Sequence, residues 1–213
     1  MNVRAALESR RSCRSFLDRS LPSGLVDALV DRARRTPSAG NTQGVGFLVL
    51  EGSEQTAAYW GITLPERDRA AFPWPGLLLA PALVVVYADA GRYLERYAEP
   101  DKASTGLGGS DGDWPIPYWF VDAAFSAMAL QLLAVDEGLG CCFFGLFGNE
   151  PAVARRFGVP EGQRAIGAVA IGHPAPDDQR PSASAGRGRR PLDDVLHRGH
   201  WGFPDVSPPD ARQ

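Results

Sequence analysis

Lysine is nearly absent from this chain of 213 residues: Lys102 is the only one, so every other fixed cation is an arginine. Cysteine is scarce as well. Cys13, Cys141 and Cys142 show no metal-ligand spacing, and their odd number argues against a disulfide framework. Cys141 and Cys142 open the apolar run Cys141-Cys142-Phe143-Phe144, where a buried thiol behaves as a small hydrophobe. That usage suits a reducing compartment. No run approaches the roughly 20 apolar residues of a membrane span. The N-terminus, broken by Arg4, Glu8, Arg10 and Arg11, has no stretch resembling a signal peptide. The expectation is a cytoplasmic protein. A net charge of -3 leaves no basic surplus for nucleic acid or an anionic membrane. The 44% apolar and 22% charged composition is ordinary for a globular protein. The length suits one sizeable domain, expected to occupy residues 1–213.

Catalytic constellations are missing too. The histidines are His173, His197 and His200. His173 sits in Gly172-His173-Pro174, where a turn role is the simpler reading, and the other two flank Arg198 without carboxylates at metal-binding spacing. There is no Gly-x-Ser-x-Gly elbow and no phosphate-binding glycine loop of the Walker or dinucleotide type. No side chain is therefore a candidate catalytic residue, and no metal is expected. An enzyme built from this chain would rely on a cofactor for its chemistry.

What the chain does have is the octet Ser9-Arg10-Arg11-Ser12-Cys13-Arg14-Ser15-Phe16, after a short helical lead-in at 2–8. Guanidinium forks and serine hydroxyls suit a dianion such as a phosphate ester, although a solvated basic turn would look the same in isolation. A second basic cluster, Gly186-Arg187-Gly188-Arg189-Arg190-Pro191, lies near the other end. One phosphate gripped by both clusters would explain both.

Between them the pattern mixes helices and strands without regular alternation, which places the chain in the α+β class. Residues 23–35 read as an amphipathic helix stopped by Thr36-Pro37-Ser38-Ala39-Gly40-Asn41. A strand is expected at 47–50, and a helix capped by Ser53 at 53–61. Residues 63–75 are proline-rich and resist assignment. Ala82-Leu83-Val84-Val85-Val86-Tyr87 reads as a strand covered on both faces. A helix at 90–97 precedes a long irregular loop at 98–117 that contains Gly106, Gly108, Gly109, Gly112 and Trp114. A loop of that length in a compact domain is commonly a lid. Residues 118–137 form the longest helix, apolar nearly all round and hence central or at a subunit interface. Strands follow at 141–144 and 164–171, with a helix at 150–157 capped by Asn149 and stopped by Gly158. A small-residue linker at 182–188 leads to a helix or turn at 191–197.

Taken together, the octet, Thr36-Pro37-Ser38-Ala39-Gly40-Asn41-Thr42-Gln43, Gly138-Leu139-Gly140 with Phe144-Gly145-Leu146, and Arg187-Gly188-Arg189-Arg190-Pro191-Leu192 resemble the FMN-dependent nitroreductase family in order and spacing. The resemblance covers roughly 4–197. It implies a nitroreductase-like fold: a central, mostly antiparallel sheet flanked by helices, with the long helix at a homodimer interface and two FMN sites built across it. By position, Arg10, Arg11 and Ser12 would line the phosphate and ribityl side, joined by Arg187 and Arg189. Arg14 would stand near the flavin N1 and O2 edge. Pro37, Ser38 and Asn41 would reach the flavin of the partner subunit, and Gly145 and Leu146 would approach N5. Asp122 falls where the family has a polar residue on the long helix. One departure stands out: the family commonly continues Asn-x-Gln with Pro-Trp, whereas this chain has Gly44-Val45. Trp114, Tyr118 and Trp119 are the candidate substrate wall, because an aromatic surface stacks on a flat ligand, although Tyr118 and Trp119 read equally well as core at the helix start. The implied activity moves hydride from NADH or NADPH through FMN to a flat electron-poor acceptor. Its alternatives are an FMN enzyme dedicated to one biosynthetic metabolite and a flavin-binding protein without turnover.

Overall fold

The apolar run beginning at Ala82 lies inside a four-stranded sheet of β1 (Val45–Glu51), β2 (Ala82–Asp89), β3 (Gly140–Phe144) and β4 (Gln163–Gly172). The strand order is β1-β2-β4-β3, and every neighbouring pair is antiparallel. The computed structural model describes residues 2–176 and 185–202, and the chain divides into two compact units, 1–178 and 179–213. The sheet belongs to the first unit, together with α1 (Val3–Ser9), α2 (Leu25–Ala33), α3 (Ser53–Thr63), α4 (Glu66–Arg69), α5 (Ala90–Ala98), α6 (Tyr118–Asp136) and α7 (Glu150–Phe157). The chain is α+β, as its patterning implies.

Because side chains alternate across a strand, β2 feeds two separate cores. Ala82, Val84, Val86 and Ala88 face α2 and α6, while Leu83, Val85 and Tyr87 pack with Phe16, Tyr59 and Trp60 on the other side. Helix α6 has the length and mean hydropathy, 1.5, of a membrane span. Here it is a core helix lying against all four strands and α2, with Asp122, Ser126 and Gln131 buried along it. Its buried stripe is Ala123, Ala127, Leu130 and Ala134. On its other side, among the described residues, Phe125 is 48% exposed and Val121, Met128 and Leu132 are partly exposed. The exposed side chains Val3 and Leu7 of α1, which packs beside α6, add to this apolar surface.

Two expected caps are replaced by other devices. Helix α3 begins after Gly52, whose φ of 83° turns the chain, so Ser53 is its first residue rather than its cap. Helix α7 follows a 3-10 turn, Phe147–Asn149, and the Asn149 side chain makes no capping bond. Instead the Glu150 carboxylate accepts from the Ala165 N–H at 2.8 Å and from Arg164 at 3.1 Å, tying the helix start to β4. Gly158, at φ 67°, closes α7 as expected.

The stretch 63–75 resolves into α4 followed by Phe72-Pro73-Trp74, and a further 3-10 turn occupies Pro75–Leu79. In the second unit, 3-10 turns occupy Ala185–Arg187 and Leu192–Asp194, and Arg190 donates to the Asp194 carbonyl. Residues 182–184 of the expected linker lie outside the described residues.

Candidate active site

The arginine octet is laced to the sheet from three sides. Ser12 bridges Cys141 in parallel, and the Cys13 N–H donates to the Cys141 carbonyl at 2.8 Å, so the octet runs along the free edge of β3. Phe16 bridges Pro174 and donates its N–H to the Gly76 carbonyl, while Leu17 donates to the carbonyl of His173. Two glycines allow this close approach. A Cβ on Gly140 would stand 2.6 Å from Cys13 Sγ, and one on Gly76 would stand 2.3 Å from Ser15 Oγ. Arg10 is the C-cap of α1, with its N–H on Ala6. Burial pushes the neighbouring Cys141 thiol up to about 11, and the Arg10 charge opposes that shift. The thiol is therefore inert, in keeping with its reading as a hydrophobe.

Arg14 turns into a cavity of about 270 Å³ whose lining includes Gly145 and Leu146 from the end of β3. Its guanidinium lies 5.3 Å from the centre of the Trp74 ring, and Trp60 stacks on Phe144 at 5.6 Å. The size is just below the ~300–1,000 Å³ of small-molecule sites, enough for a ring system but not a whole nucleotide. Aromatic walls, one guanidinium and an unobstructed Gly145 fit the ring portion of a flavin. Sequence reasoning missed Trp60, Phe72 and Trp74. The available signal was Phe72-Pro73-Trp74-Pro75, where prolines fix an aromatic ring within a stretch that shows no periodicity. At the mouth, Phe147 is 88% exposed and holds φ at 52°, a costly conformation for an aromatic residue and one that clusters at functional sites.

The turn at 37–41 lies on the opposite face of the sheet, against α6. Asp122, only 3% exposed, accepts from the Ala39 N–H at 2.8 Å and from the Tyr93 hydroxyl at 2.6 Å. Burial, reinforced by that carboxylate, drives Tyr93 far above the ordinary phenol range, so it remains a donor. Ser126 and Thr36 pair their hydroxyls at 2.7 Å, and Arg96 donates to the Gly40 carbonyl. These bonds hold Gly40, Asn41 and Gln43 at φ 63°, 54° and 54°. Asp122 thus positions the turn. It also lines a cavity of about 150 Å³ with Pro37 and Ser38, which shares no lining residue with the Arg14 cavity. Gly44, the departure from the family pattern, has a packing reason: a Cβ there would stand 2.6 Å from the Tyr93 ring. A roomier groove of about 440 Å³ runs along β1, but among the expected site residues it holds none.

Two of the three residues of the expected substrate wall, Trp114 and Trp119, are buried. Trp114 is 7% exposed, within ring contact of Tyr93, Tyr97 and Trp119, and its indole N–H donates to Leu107 at 2.8 Å. Trp119 is buried in the same cluster, and of the three only Tyr118 reaches the surface. The loop at 98–117 is folded onto this core through 3-10 turns at Ala103–Thr105 and Asp111–Asp113. Removing a buried Trp ring costs about 3–5 kcal/mol. Trp114→Ala is therefore expected to lower the urea midpoint strongly. A wild-type midpoint in a urea melt would return Trp114 to a surface role.

Residues 7–173 match the model of the Nitroreductase family. A protein of Methanothermobacter thermautotrophicus with the provisional name NADH dehydrogenase/NAD(P)H nitroreductase is 27% identical over 180 residues, 82% of this chain and 78% of its own length. One of the same provisional name from Archaeoglobus fulgidus is 25% identical over 197 residues, covering 91% and 95%. Among solved structures, NfrA1 nitroreductase of Bacillus subtilis has a TM-score of 0.72 at 22% identity, spanning 94% of this chain and 75% of that one. The chain belongs to the nitroreductase family, and it is an oxidoreductase.

Proposed function

We propose that this protein binds FMN and uses it to pass reducing equivalents from NADH or NADPH to a flat, electron-poor acceptor such as a quinone or nitroaromatic. The observation that carries the reading is convergence: Arg14, Gly145 and Leu146, far apart in sequence, line one aromatic cavity beside the octet. When bound, FMN supplies the two-electron chemistry that the side chains lack. The chain's own groups bind and orient. Arg10, Arg11 and Ser12 hold the phosphate side. Arg14 offers positive charge at the N1 and O2 edge, where negative charge gathered on the ring is stabilised. Gly145 and Leu146 bring backbone close to N5, and Gly145 has no side chain to obstruct the approach.

Pro37, Ser38 and Asn41 serve the flavin of a second copy. In support, the turn and the Arg14 cavity lie against different cores, on opposite faces of one sheet. The partly exposed apolar side of α6 is the surface on which two copies would pair. Donor and acceptor then alternate over one exposed ring face, which gives ping-pong kinetics. The test is a visible spectrum followed by an anaerobic titration. Purified protein reconstituted with FMN should show a flavin band that NADH or NADPH bleaches and 1,4-naphthoquinone restores. Failure to bind FMN overturns the reading, as does a bound flavin that neither nicotinamide bleaches.

A further inference from the structure

One guanidinium ties the loop at 98–117 to the turn at 37–41. Arg96, near the end of α5 with its side chain 22% exposed, donates from Nε to the Gly40 carbonyl at 2.9 Å. Its two terminal nitrogens donate to both oxygens of Asp101, at 2.7 and 2.8 Å, and one of them reaches Glu99 at 3.1 Å. A planar fork can span two segments in this way, whereas the single ammonium of lysine cannot. The neighbouring residue supplies a second grip. A Cβ on Gly40 would stand 2.9 Å from the Tyr97 ring, so ring and turn are in close contact. The loop holds that ring as well: Trp114 lies 4.6 Å from it, centre to centre, and the Lys102 ammonium 5.8 Å. Gly108 lets the loop close on α5, since a Cβ there would stand 2.6 Å from the Ala98 nitrogen. Gly40, at φ 63°, is therefore held at its carbonyl and at its Cα by two consecutive residues that the loop itself holds.

Resting on the FMN reading, we infer that Arg96 is a positioning residue for the flavin site that the other subunit completes. Through it, the 98–117 loop of one chain seats Gly40 and Asn41 in that site. The loop is then a brace for the turn and not a cover over its own chain's cavity. In support, none of its residues lines the Arg14 cavity, so its bonded route to a flavin runs through the turn.

Arg96→Lys keeps the charge and removes the fork, while Asp101→Ala leaves Arg96 in place and removes the loop's hold on it. The first measurement is amide hydrogen exchange in the ligand-free protein. The Asn41 and Thr42 amides, which donate to the Ser38 and Ala39 carbonyls, should exchange faster in both variants. In Arg96→Lys the change should be about tenfold, the size of one charge-assisted hydrogen bond. The amides of β2 should exchange as in wild type, which separates a loosened turn from a damaged fold. Unchanged exchange in the turn overturns the inference. So does faster exchange in β2 of both variants, which would make Arg96 a general support of the fold. The second measurement is FMN binding by mixed subunits, near the wild-type dissociation constant. Arg14→Ala breaks the cavity half of a site and Asn41→Gly the turn half. Arg96→Lys mixed with Arg14→Ala should regain FMN at about a quarter of all sites, because only mixed dimers carry an intact one. Mixed with Asn41→Gly it should regain none. The reverse pattern would place the action of Arg96 in its own chain's cavity and overturns the inference. If wild type does not bind FMN, or Arg14→Ala and Asn41→Gly fail to repair each other, the proposed function fails separately. Hydrogen exchange then decides alone whether the loop braces the turn.

Discussion

Two inactive variants should repair each other when mixed. On the proposed dimer, Arg14→Ala should damage the cavity of its own chain, and Asn41→Gly the turn it would offer to the other. Glycine is the right replacement at Asn41, because it accepts the φ of 54° while removing the side chain. Each variant alone carries one broken half in every site, so at FMN concentrations near the wild-type dissociation constant both should be nearly empty. After subunit exchange, half of the dimers contain one chain of each kind. Each such dimer has one intact site and one doubly damaged site, so about a quarter of all sites recover. Bound FMN, read by its absorbance after gel filtration, should rise from near zero to that level. A mixture that binds no more than the mean of its components would show that one chain completes its own site. The basis lies in the sheet: the Arg14 cavity joins the core of Leu83 and Val85, and the turn joins the core of Val84 and Val86. No bend within β2 brings those two faces together.

Removing the phosphate grip should separate two closely related ligands. Arg10 sits at the end of α1, half-buried beside the lacing of the octet to β3. A hydrogen bond from a guanidinium to a phosphate is worth about 1.5–3 kcal/mol. Arg10→Ala should therefore weaken FMN roughly tenfold or more. Riboflavin, which has the ring and ribityl chain without the phosphate, should bind as tightly as it does to wild type. Parallel fluorescence titrations with the two ligands decide the matter. Equal losses would mean that Arg10 shapes the octet rather than holding the anion.

Much of this architecture is legible in the chain, and the illegible parts have a common cause. β2 announces itself as six consecutive apolar residues, and α6 as an apolar helix ended by Gly138 at φ 74°. Such signals are local. The cap of α7 is not, because Glu150 is satisfied by β4, fourteen and fifteen positions away at Arg164 and Ala165. Trp114 stands between glycines and prolines as an exposed lid residue would, yet Tyr93, Tyr97 and Trp119 enclose it, and nothing in its immediate sequence encodes that meeting. The cofactor motifs show the same division. Residue types and order identify the octet and the 37–41 turn, whereas the pairing of Arg14 with Trp74 exists only after folding. Gly44 reads as a lost proline in the sequence, but against the Tyr93 ring it is the residue that fits.

The lacing of the octet has a consequence for synthesis. Apart from Gly76, its anchors Cys141, His173 and Pro174 are made long after Arg10 to Phe16 have left the ribosome. Contacts so distant in sequence form late, because the chain must first close a large loop. The contacts of Ser12, Cys13, Phe16 and Leu17 with Cys141, His173 and Pro174 therefore form only once β3 and β4 exist. The sheet can assemble from β1, β2 and β4 before the cofactor arrives. On the FMN reading, cofactor capture would follow the making of nearly the whole first unit.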